Sequence, residues 1–120
     1  MVGVGIVMAL LALLVVWPYR IHGPSMLPAY NSGDLVLVEK LSYRFRNPKA
    51  GEVVVFNSPR GEQLIKRVTS EVQPLQGVEP LYWLEGDNKD QSTDSRQFGP
   101  VVKKAIVGRV MWRVLTWPSF

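Results

Sequence analysis

The sequence predicts a mainly β fold, in which a compact domain of the β-barrel or β-sandwich type follows one N-terminal apolar transmembrane helix. Short apolar runs bounded by glycine, proline and other turn residues recur after residue 20. No long stretch in this region repeats with the 3.6-residue period of a helix. The first 19 residues, by contrast, contain no charged side chain. A chain of 120 residues has room for one such domain.

The uncharged segment at residues 2–17 would extend roughly 24 Å as a helix, less than the ~30 Å hydrocarbon core of a bilayer. It is therefore a thin span, a tilted anchor or a span that has lost residues at its start. A cleaved signal peptide is the alternative, which the lack of a preceding Lys or Arg and of a small-x-small site disfavours. Trp17 and Tyr19 are typical of the headgroup region. We predict a single-pass anchor over residues 1–19 and the β domain over residues 20–120.

The strands of this domain are predicted from five apolar runs, at residues 35–39, 52–56, 63–68, 81–85 and 105–112. Turn signals separate them, as at residues 47–51, 58–61 and 86–88. The apolar and aromatic tail, residues 112–120, has two interpretations. It is either a last strand packed on the core or an interfacial patch beside the anchor.

Charge and cysteine content limit the partners. The chain has 14 Lys and Arg residues against 10 Asp and Glu residues, and all of them lie after Tyr19. A basic domain next to a membrane is attracted to anionic lipid, so membrane lipid is a predicted partner. No fold signature of a nucleic-acid binder is present, and nucleic acid is not a predicted partner. Because the chain has no cysteine, disulfides and thiolate metal sites are excluded.

Ser25 is the first candidate for chemistry. It lies between Pro24 and Pro28, which restrict the backbone, and it follows Gly23, which allows another segment to approach closely. A serine becomes a nucleophile only next to a base, and the one histidine of the chain is His22. The alternative is an ordinary turn serine between prolines.

Lys66 is the candidate base. It lies in an apolar run, where burial would lower its pKa from the ordinary value near 10.4 and make the amine available as a base. Strand alternation places Lys66 and Leu64 on one face, and Ile65 and Arg67 on the other. The alternative is that Lys66 and Arg67 both lie on a solvated edge.

A long polar segment, residues 86–99, offers the remaining side chains. Ser92 is a candidate to hydrogen bond the Lys66 nitrogen and orient it, and an Asp94–Arg96 ion pair would make the loop rigid. The alternative is an ordinary solvated loop. The acidic residues around Asn88 lack the spacing and the terminal Glu of an EF-hand, so neither a metal nor a cofactor is predicted.

Four blocks together resemble the type I signal peptidases, the membrane-bound Ser-Lys family that removes signal peptides. They are Gly-Pro-Ser-Met-Leu-Pro at 23–28, Gly-Asp-Leu-Val-Leu-Val-Glu-Lys at 33–40, Gly-Glu-Val-Val-Val-Phe at 51–56 with Ile-Lys-Arg-Val at 65–68, and the glycine-flanked block at 86–101. The compact Gram-positive-type and organellar members are most similar. The resemblance implies a β-rich catalytic domain and an N-terminal anchor.

The resemblance also implies a role for each matched residue. Ser25 would be the nucleophile, with its backbone N–H in the oxyanion hole, and Lys66 would be the general base. The supporting residues would be Ser92, which orients Lys66, Asp94 paired with Arg96, and a structural Asp87. Met26 and Ile65 would line the pocket for the small residue before the cut.

The chain departs from the family pattern at three places. Gly23 stands where some members carry a serine whose hydroxyl completes the oxyanion hole, so the second donor is unidentified. Ala29 replaces a common Thr, and residues 69–74 replace a frequent Gly-x-Pro-Gly-Asp segment.

The expected function is therefore that of a single-pass endopeptidase that cleaves signal peptides from exported preproteins on the extracytoplasmic face of a membrane. A specialised relative, such as an organellar inner-membrane or pilin-processing peptidase, is one alternative. A membrane-tethered β domain that binds partners without catalysis is another. A self-cleaving repressor-like Ser-Lys protease is disfavoured by the anchor, because those proteins are soluble.

Overall fold

Seven antiparallel strands form one sheet, in the order β1-β2-β7-β3-β4-β5-β6. The structure, a computed structural model, describes residues 2–116, apart from the side chains of residues 9 and 11–14. The strands are β1 (Val16–Arg20), β2 (Leu35–Glu39), β3 (Val53–Asn57), β4 (Gln63–Val72), β5 (Leu81–Glu85), β6 (Val101–Val102) and β7 (Ile106–Leu115). The helices are α1 (Val2–Val15), α2 (Ser42–Phe45) and α3 (Ser95–Phe98), with single 3₁₀ turns at Lys89–Gln91 and Lys103–Ala105.

The mainly β prediction is confirmed, and each of the five predicted apolar runs coincides with a strand, except that Glu52 and Ala105 lie just before β3 and β7. Two strands were missed. β6 is only two residues long, and β1 was assigned to the predicted anchor. The last predicted run continues as β7 to Leu115, and its side chains from Trp112 onward are exposed. Residues 117–120 of the predicted tail lie outside the described residues.

The apolar N-terminal segment is helical as predicted, but α1 ends at Val15 after 14 residues. It ends there because the next five residues pair with β2, from Val16 opposite Glu39 to Arg20 opposite Leu35. Pro18 is accommodated because β1 is an edge strand, where a missing N–H need not face a neighbour. Within residues 2–116, no helix combines the length and the apolar character that crossing a bilayer would require.

Two apolar clusters form the core of the domain. One contains Ile21, Met26, Val36, Val38, Val53, Val55, Ile65 and Val110, and the other contains Tyr43, Val54, Phe56, Val68, Tyr82, Leu84 and Val101. Neighbouring residues of β3 alternate between the clusters, as strand geometry requires, so both faces of the central sheet are covered. Lys66 lies on the face of β4 that carries Leu64, opposite Val54 of the second cluster.

Strand register brings the polar segment after β5 to Lys66. On one side of β4, Lys66 lies opposite Val54 of β3. On the other side, Arg67 pairs with Glu85, the last residue of β5. The chain that leaves β5 at Gly86 therefore begins next to Lys66, although 20 residues separate the two in sequence.

Candidate active site

The structure brings Ser25 and Lys66 together. The Lys66 Nζ and Ser25 Oγ atoms are 2.7 Å apart, within hydrogen-bond distance. Lys66 is 4% exposed, so it is buried and does not lie on the solvated edge that was its alternative. Leu64 and Lys66 border the same cavity, while Ile65 lies in the opposite core cluster, as the predicted alternation requires.

Burial lowers the pKa of the Lys66 amine, because the charged form loses hydration. The negative charge of Asp94 raises this pKa, the positive charge of Arg96 lowers it, and Glu62 raises it. Burial outweighs the opposing charges. Among the described residues, no carboxylate lies within ion-pair distance of Lys66. The neutral amine, which is the form that accepts a proton, therefore forms more readily here than on a solvent-exposed lysine.

The turn that carries Ser25 is fixed at both ends. Gly23 has a φ of +86°, a conformation that residues with a side chain rarely adopt, and its N–H donates to Ser32 Oγ at 2.9 Å. On the other side, Asn88 donates twice: its backbone N–H to the Ser25 carbonyl at 2.8 Å, and its side-chain Nδ2 to the Pro24 carbonyl at 3.0 Å. Asn88 is a site residue that sequence reasoning missed, although its place in the glycine-flanked block was a signal.

Gly86 allows the closest approach in the site. A methyl group at its Cα would lie 2.3 Å from Ser92 Oγ and 2.7 Å from the Ser25 carbonyl oxygen. Both distances are shorter than real contacts, and the Ser25 oxygen belongs to backbone that cannot rotate away. The absence of a side chain at this position thus lets the loop after β5 pack directly on the turn that carries Ser25.

Asp94 is the centre of the loop's hydrogen bonds. It is fully buried, and its Oδ2 accepts from Ser92 Oγ at 2.6 Å and from the Gly86 N–H at 2.9 Å. The Arg96 guanidinium donates to both oxygens, from Nε at 2.9 Å and from NH2 at 3.1 Å. Burial alone would raise the pKa of Asp94, but the hydrogen bonds from Arg96, Ser92 and Gly86 hold it well below the ordinary value. The predicted Asp94–Arg96 ion pair is present.

Asp94 also begins helix α3 through a capping box. Its side chain accepts from the Arg96 N–H, and the Gln97 side chain accepts from the Asp94 N–H. Ser95, nearly inaccessible to solvent, accepts the Leu84 N–H at 2.9 Å and ties α3 to β5. The loop is therefore an ordered part of the domain and not the solvated loop that was its alternative.

Ser92 and Asp87 have partners that the sequence did not indicate. The Ser92 hydroxyl donates to Asp94, and Lys66 Nζ is hydrogen bonded to Ser25, so the predicted Ser92–Lys66 hydrogen bond is not among those of the described residues. Asp87 forms a two-pronged ion pair with Arg67, at 2.9 Å from Nε and 2.8 Å from NH2. Arg67 also donates to the Gly51 carbonyl at 2.8 Å. Asp87 thus links the loop to β4.

A cavity of about 360 Å³ lies over the Ser25–Lys66 pair. Its walls are the turn at residues 22–25, the β3–β4 hairpin at residues 58–62 and the segment 91–98. Met26 and Ile65, predicted to line the pocket for a small residue, do not border this cavity. They are 0% and 3% exposed and lie in the core cluster behind the dyad, because alternation turns Ile65 to the other face of β4.

The described residues contain no group of three or more His, Asp or Glu side chains that could hold a metal ion. The groups that border the Ser25–Lys66 cavity and can take part in proton transfer include the Ser25 hydroxyl and the Lys66 amine.

Comparison with known proteins identifies the family. The sequence matches the description "Signal peptidase, peptidase S26" over residues 1–72 and 70–117. The chain belongs to this family. It is accordingly a hydrolase, a serine peptidase of the signal peptidase type, and the resemblance inferred from its four motif blocks is confirmed.

Individual relatives of this S26 peptidase come from organelles and from a cyanobacterium. The mitochondrial ATP-independent inner membrane protease subunit 1a of Arabidopsis thaliana is 39% identical, over 82% of this chain and 69% of its own length. The mitochondrial inner membrane protease subunit 1 of Mus musculus is 33% identical, over 80% of this chain and 66% of its own. A probable signal peptidase I-1 of Synechocystis is 32% identical, over 92% of this chain and 77% of its own. The chain thus spans about two thirds of the length of these mitochondrial relatives.

Proposed function

We propose that Ser25 and Lys66 form the catalytic dyad of a membrane-bound endopeptidase that removes signal peptides from preproteins. The observation that carries this proposal is the 2.7 Å separation between a serine hydroxyl and a lysine amine that is only 4% exposed. A nucleophile within hydrogen-bond distance of a base whose pKa is lowered by burial is the arrangement that covalent catalysis requires.

The first step is acylation. The neutral Lys66 amine accepts the proton of Ser25 Oγ as this oxygen attacks the scissile carbonyl carbon. The negative charge that develops on the carbonyl oxygen is stabilised by the Ser25 backbone N–H, which has no hydrogen-bond acceptor among the described residues. The Gly23 N–H does not provide the second donor in this conformation, because it is bonded to Ser32.

Acylation is completed when the protonated Lys66 donates its proton to the leaving amine, the C–N bond breaks and the peptide after the cut departs. The second step is deacylation, in which the neutral Lys66 amine accepts a proton from water as the water oxygen attacks the acyl carbonyl carbon. When the ester bond to Ser25 breaks, Lys66 gives this proton to Ser25 Oγ and the signal peptide leaves with a new carboxyl group. The hydroxyl and the neutral amine are thereby restored.

The supporting residues keep this geometry. Asn88 holds the carbonyls of Pro24 and Ser25, so the nucleophile turn cannot move relative to the loop that follows β5. Ser92 acts through Asp94, which is held by Arg96, and so positions the loop around Lys66 without donating to its nitrogen. Asp87 fixes the start of this loop through Arg67.

Selection of small residues before the cut is proposed for the part of the cavity next to Ser25 and Lys66, where a bulky side chain would clash. Met26 and Ile65 face the core and do not border this cavity, so they act on the selection only by packing behind the backbone that carries Ser25 and Lys66.

Membrane attachment is proposed through the apolar helix α1, with the β domain on the extracytoplasmic face. Each side chain that the structure describes between Val2 and Met8 is exposed, and none carries a charge. Such a surface is costly to leave in water. Relatives named as inner membrane proteases support the same location.

The second candidate is a specialised organellar-type peptidase with a restricted set of substrates. It is favoured by the relatives named as subunits of a mitochondrial inner membrane protease and by a 28% identical relative in Arabidopsis thaliana named as a probable thylakoidal processing peptidase. A panel of preproteins separates the two candidates, because a general signal peptidase would cleave most of them. The non-catalytic alternative is disfavoured by the preserved dyad geometry.

The test is cleavage of a preprotein with a small-x-small site by the full chain in detergent. We expect Ser25→Ala and Lys66→Ala to abolish cleavage, while Ser70→Ala and Lys49→Ala, matched substitutions at exposed positions, retain it. Mass spectrometry of a slowly deacylating substrate should show the acyl group on Ser25. Undiminished turnover by Ser25→Ala would refute the proposal and favour a binding role.

A further inference from the structure

A second feature of the molecule lies at the exit of helix α1. Residues 40–45, here called the α2 corner, place two large apolar side chains in solvent: Phe45 is 81% exposed and Leu41 is 47% exposed. Between them and the end of α1 lies an apolar groove of about 380 Å³, lined also by Val15, Val16 and Met111. An aromatic side chain exposed to this degree beside an open apolar groove is typical of an interaction surface.

A basic cavity adjoins the α2 corner. It has a volume of about 630 Å³ and is lined by four cationic residues, Lys40, Arg44, Lys103 and Lys104, and by one acidic residue, Glu79. Lys40 also lies over the ring of Trp17, 4.8 Å from its centroid, and so stays at the exit of α1. The α2 corner therefore borders positive charge in one cavity and apolar surface in the other.

Hydrogen bonds within the protein hold the α2 corner in place without filling the apolar groove or the basic cavity. The Glu39 carboxylate, which borders the apolar groove, accepts the Ser42 N–H at 2.8 Å and Arg109 Nε at 3.0 Å. Tyr43, on the inner side of α2, is buried and donates to Glu52 at 3.1 Å. The Glu39 and Glu52 carboxylates are thus bonded to other groups of the protein, and Glu79 is the acidic residue that faces the four cations of the basic cavity.

The charge and the position of the α2 corner indicate the kind of partner that it binds. A second copy of the chain would bring two clusters of lysine and arginine together, which like charges oppose. A phospholipid combines an anionic phosphate with apolar chains and matches both cavities. The backbone N–H of Lys40 donates to the backbone carbonyl of Val15 at 2.9 Å. The α2 corner therefore lies where the exposed apolar helix α1 joins the β domain.

We propose that the α2 corner docks on an anionic phospholipid surface, with the basic cavity binding headgroup phosphate and the apolar groove receiving an acyl chain. This inference rests on the membrane location given under the proposed function. It adds a second, lipid-binding site separate from the Ser25–Lys66 cleft, whose lining includes none of the α2 corner. Docking at this corner would fix the orientation of the cleft relative to the bilayer.

The absence of cysteine makes a site-specific probe straightforward. Phe45→Cys carries an environment-sensitive fluorophore in one sample, and Leu75→Cys, also an exposed apolar residue, carries it in the control. The full chain is reconstituted into vesicles of phosphatidylcholine alone or of phosphatidylcholine with phosphatidylglycerol. We expect a blue shift at residue 45 that depends on phosphatidylglycerol and is absent at residue 75. Inorganic phosphate added to detergent-solubilised protein should produce no shift.

Charge substitutions test the basic cavity. In the double variant Arg44→Glu with Lys104→Glu, the increase in blue shift caused by phosphatidylglycerol should be at least about ten-fold smaller. The reason is that each basic side chain near an anionic surface contributes on the order of 1 kcal/mol to binding. Arg60→Glu with Lys49→Glu makes the same change in net charge outside the cavity and should leave the dependence nearly intact. High salt should reduce the shift of the unsubstituted probe protein, because counterions screen the surface.

Several outcomes would overturn this inference: an equal shift at residues 45 and 75, an equal shift in phosphatidylcholine alone, or a shift in detergent that accompanies dimerisation. If Phe45→Cys does not fold, Leu41→Cys is the second probe site. Preprotein cleavage in detergent is measured on the same samples. A lipid-dependent shift without any cleavage would count against the catalytic proposal alone, and cleavage without the shift against the lipid site alone.

Discussion

In two regions of the protein an ionisable side chain is withdrawn from water, but only one of the two side chains has a counterion. In the cleft, the Lys66 amine is buried and its hydrogen-bond partner is the uncharged hydroxyl of Ser25. Below α2, Glu52 is also withdrawn from solvent, but Arg46 donates to both of its oxygens, at 2.9 and 2.6 Å. Tyr43 and the Lys49 N–H donate to the same carboxylate.

The pKa values follow this difference. Burial lowers the pKa of Lys66 and so favours loss of its charge. Burial alone would raise the pKa of Glu52, but the hydrogen bonds from Arg46, Lys49 and Tyr43 lower it to about 2. A partly buried carboxylate with full partners, such as Glu52, keeps its charge and stabilises the fold, whereas burial without a counterion makes the Lys66 amine easier to deprotonate and so better suited to proton transfer.

Asp94 shows how the cleft keeps its lysine without a counterion. Its negative charge acts on Lys66 and raises the pKa of the amine. However, Arg96 binds the carboxylate at 2.9 Å, and the positive charge of Arg96 itself lowers the pKa of Lys66. The positive charge of Arg96 thus partly offsets the effect of Asp94, which by itself would raise the pKa of the Lys66 amine further.

The largest expected effect on activity comes from replacing Lys66 by a side chain that is always charged or by one that is never charged. Arginine cannot lose its proton at physiological pH, and methionine has no proton acceptor of comparable strength. We therefore expect Lys66→Arg and Lys66→Met to reduce kcat/KM for a preprotein peptide by roughly 10³-fold or more. The melting temperature of Lys66→Met should equal or exceed that of the unsubstituted protein, because a buried amine is removed. Substantial activity in Lys66→Arg would show that a neutral amine is not needed.

Gly86→Ala tests the packing between the loop and the nucleophile turn. The added methyl group would lie 2.7 Å from the Ser25 carbonyl oxygen, so the backbone next to the nucleophile must shift. A displacement of about 1 Å at a reacting group costs on the order of 10²-fold in rate, and we expect a loss of this size in kcat. Gly5→Ala is the control, because a methyl group added there would meet no atom within 4 Å. Equal activity of the two variants would mean that the turn tolerates displacement.

Arg96→Gln should move the pH dependence of the reaction. With Arg96 gone, the charge of Asp94 is no longer balanced and raises the pKa of Lys66. Since only the neutral amine is active, activity rises with pH, and the acid limb of kcat/KM should shift to higher pH. Activity should fall several-fold at neutral pH and recover in alkaline solution. Arg67→Gln, which removes the same charge from the Asp87 pair, is the control and should leave the limb in place.

A loss of activity in Arg96→Gln that alkaline pH does not restore would have a different meaning. It would indicate that Arg96 serves only to fold the loop, and that its charge has no effect on the amine. The recovery at high pH is therefore the informative measurement.

Ser25 and Lys66, which the structure places within hydrogen-bond distance, could be singled out from the sequence because both lie in short motifs that together resemble one family, while their catalytic role is a proposal. Ser25 is enclosed by prolines, and Lys66 lies in an apolar strand whose two faces follow from simple alternation. The Asp94–Arg96 pair was predictable for the same reason, since only two positions separate the residues.

Contacts between distant segments were not predictable in this way. Asn88 bonds to the Pro24 carbonyl across 64 positions, and Asp87 bonds to Arg67 across 20. Each depends on strand register, which the single sequence does not encode locally. β1 was missed because its apolar residues continue those of α1, and only pairing with β2 ends the helix.

Glu52→Gln tests the region in which the charge is paired with Arg46. Of the substitutions considered, it has the smallest expected effect on activity. It weakens the hydrogen bonds from Arg46, and because they are partly exposed to solvent we expect a loss of roughly 1–2 kcal/mol in the free energy of unfolding. The pKa of Glu52, about 2, is lower than its value of 4.5 in an unfolded chain. Its charge therefore contributes stability above about pH 4.5, and this contribution disappears as the pH falls toward 2.

Unfolding by urea between pH 2 and 7 should accordingly show a smaller loss of stability on acidification in Glu52→Gln than in the unsubstituted protein. Glu71→Gln, at an exposed position on β4, should behave like the unsubstituted protein. Both variants should keep the acid limb of kcat/KM unchanged, because Glu52 and Glu71 are not among the charges that act on Lys66. A shift of that limb in Glu52→Gln alone would show that the two regions are electrostatically coupled, and would contradict their separation into a structural and a catalytic set of charges.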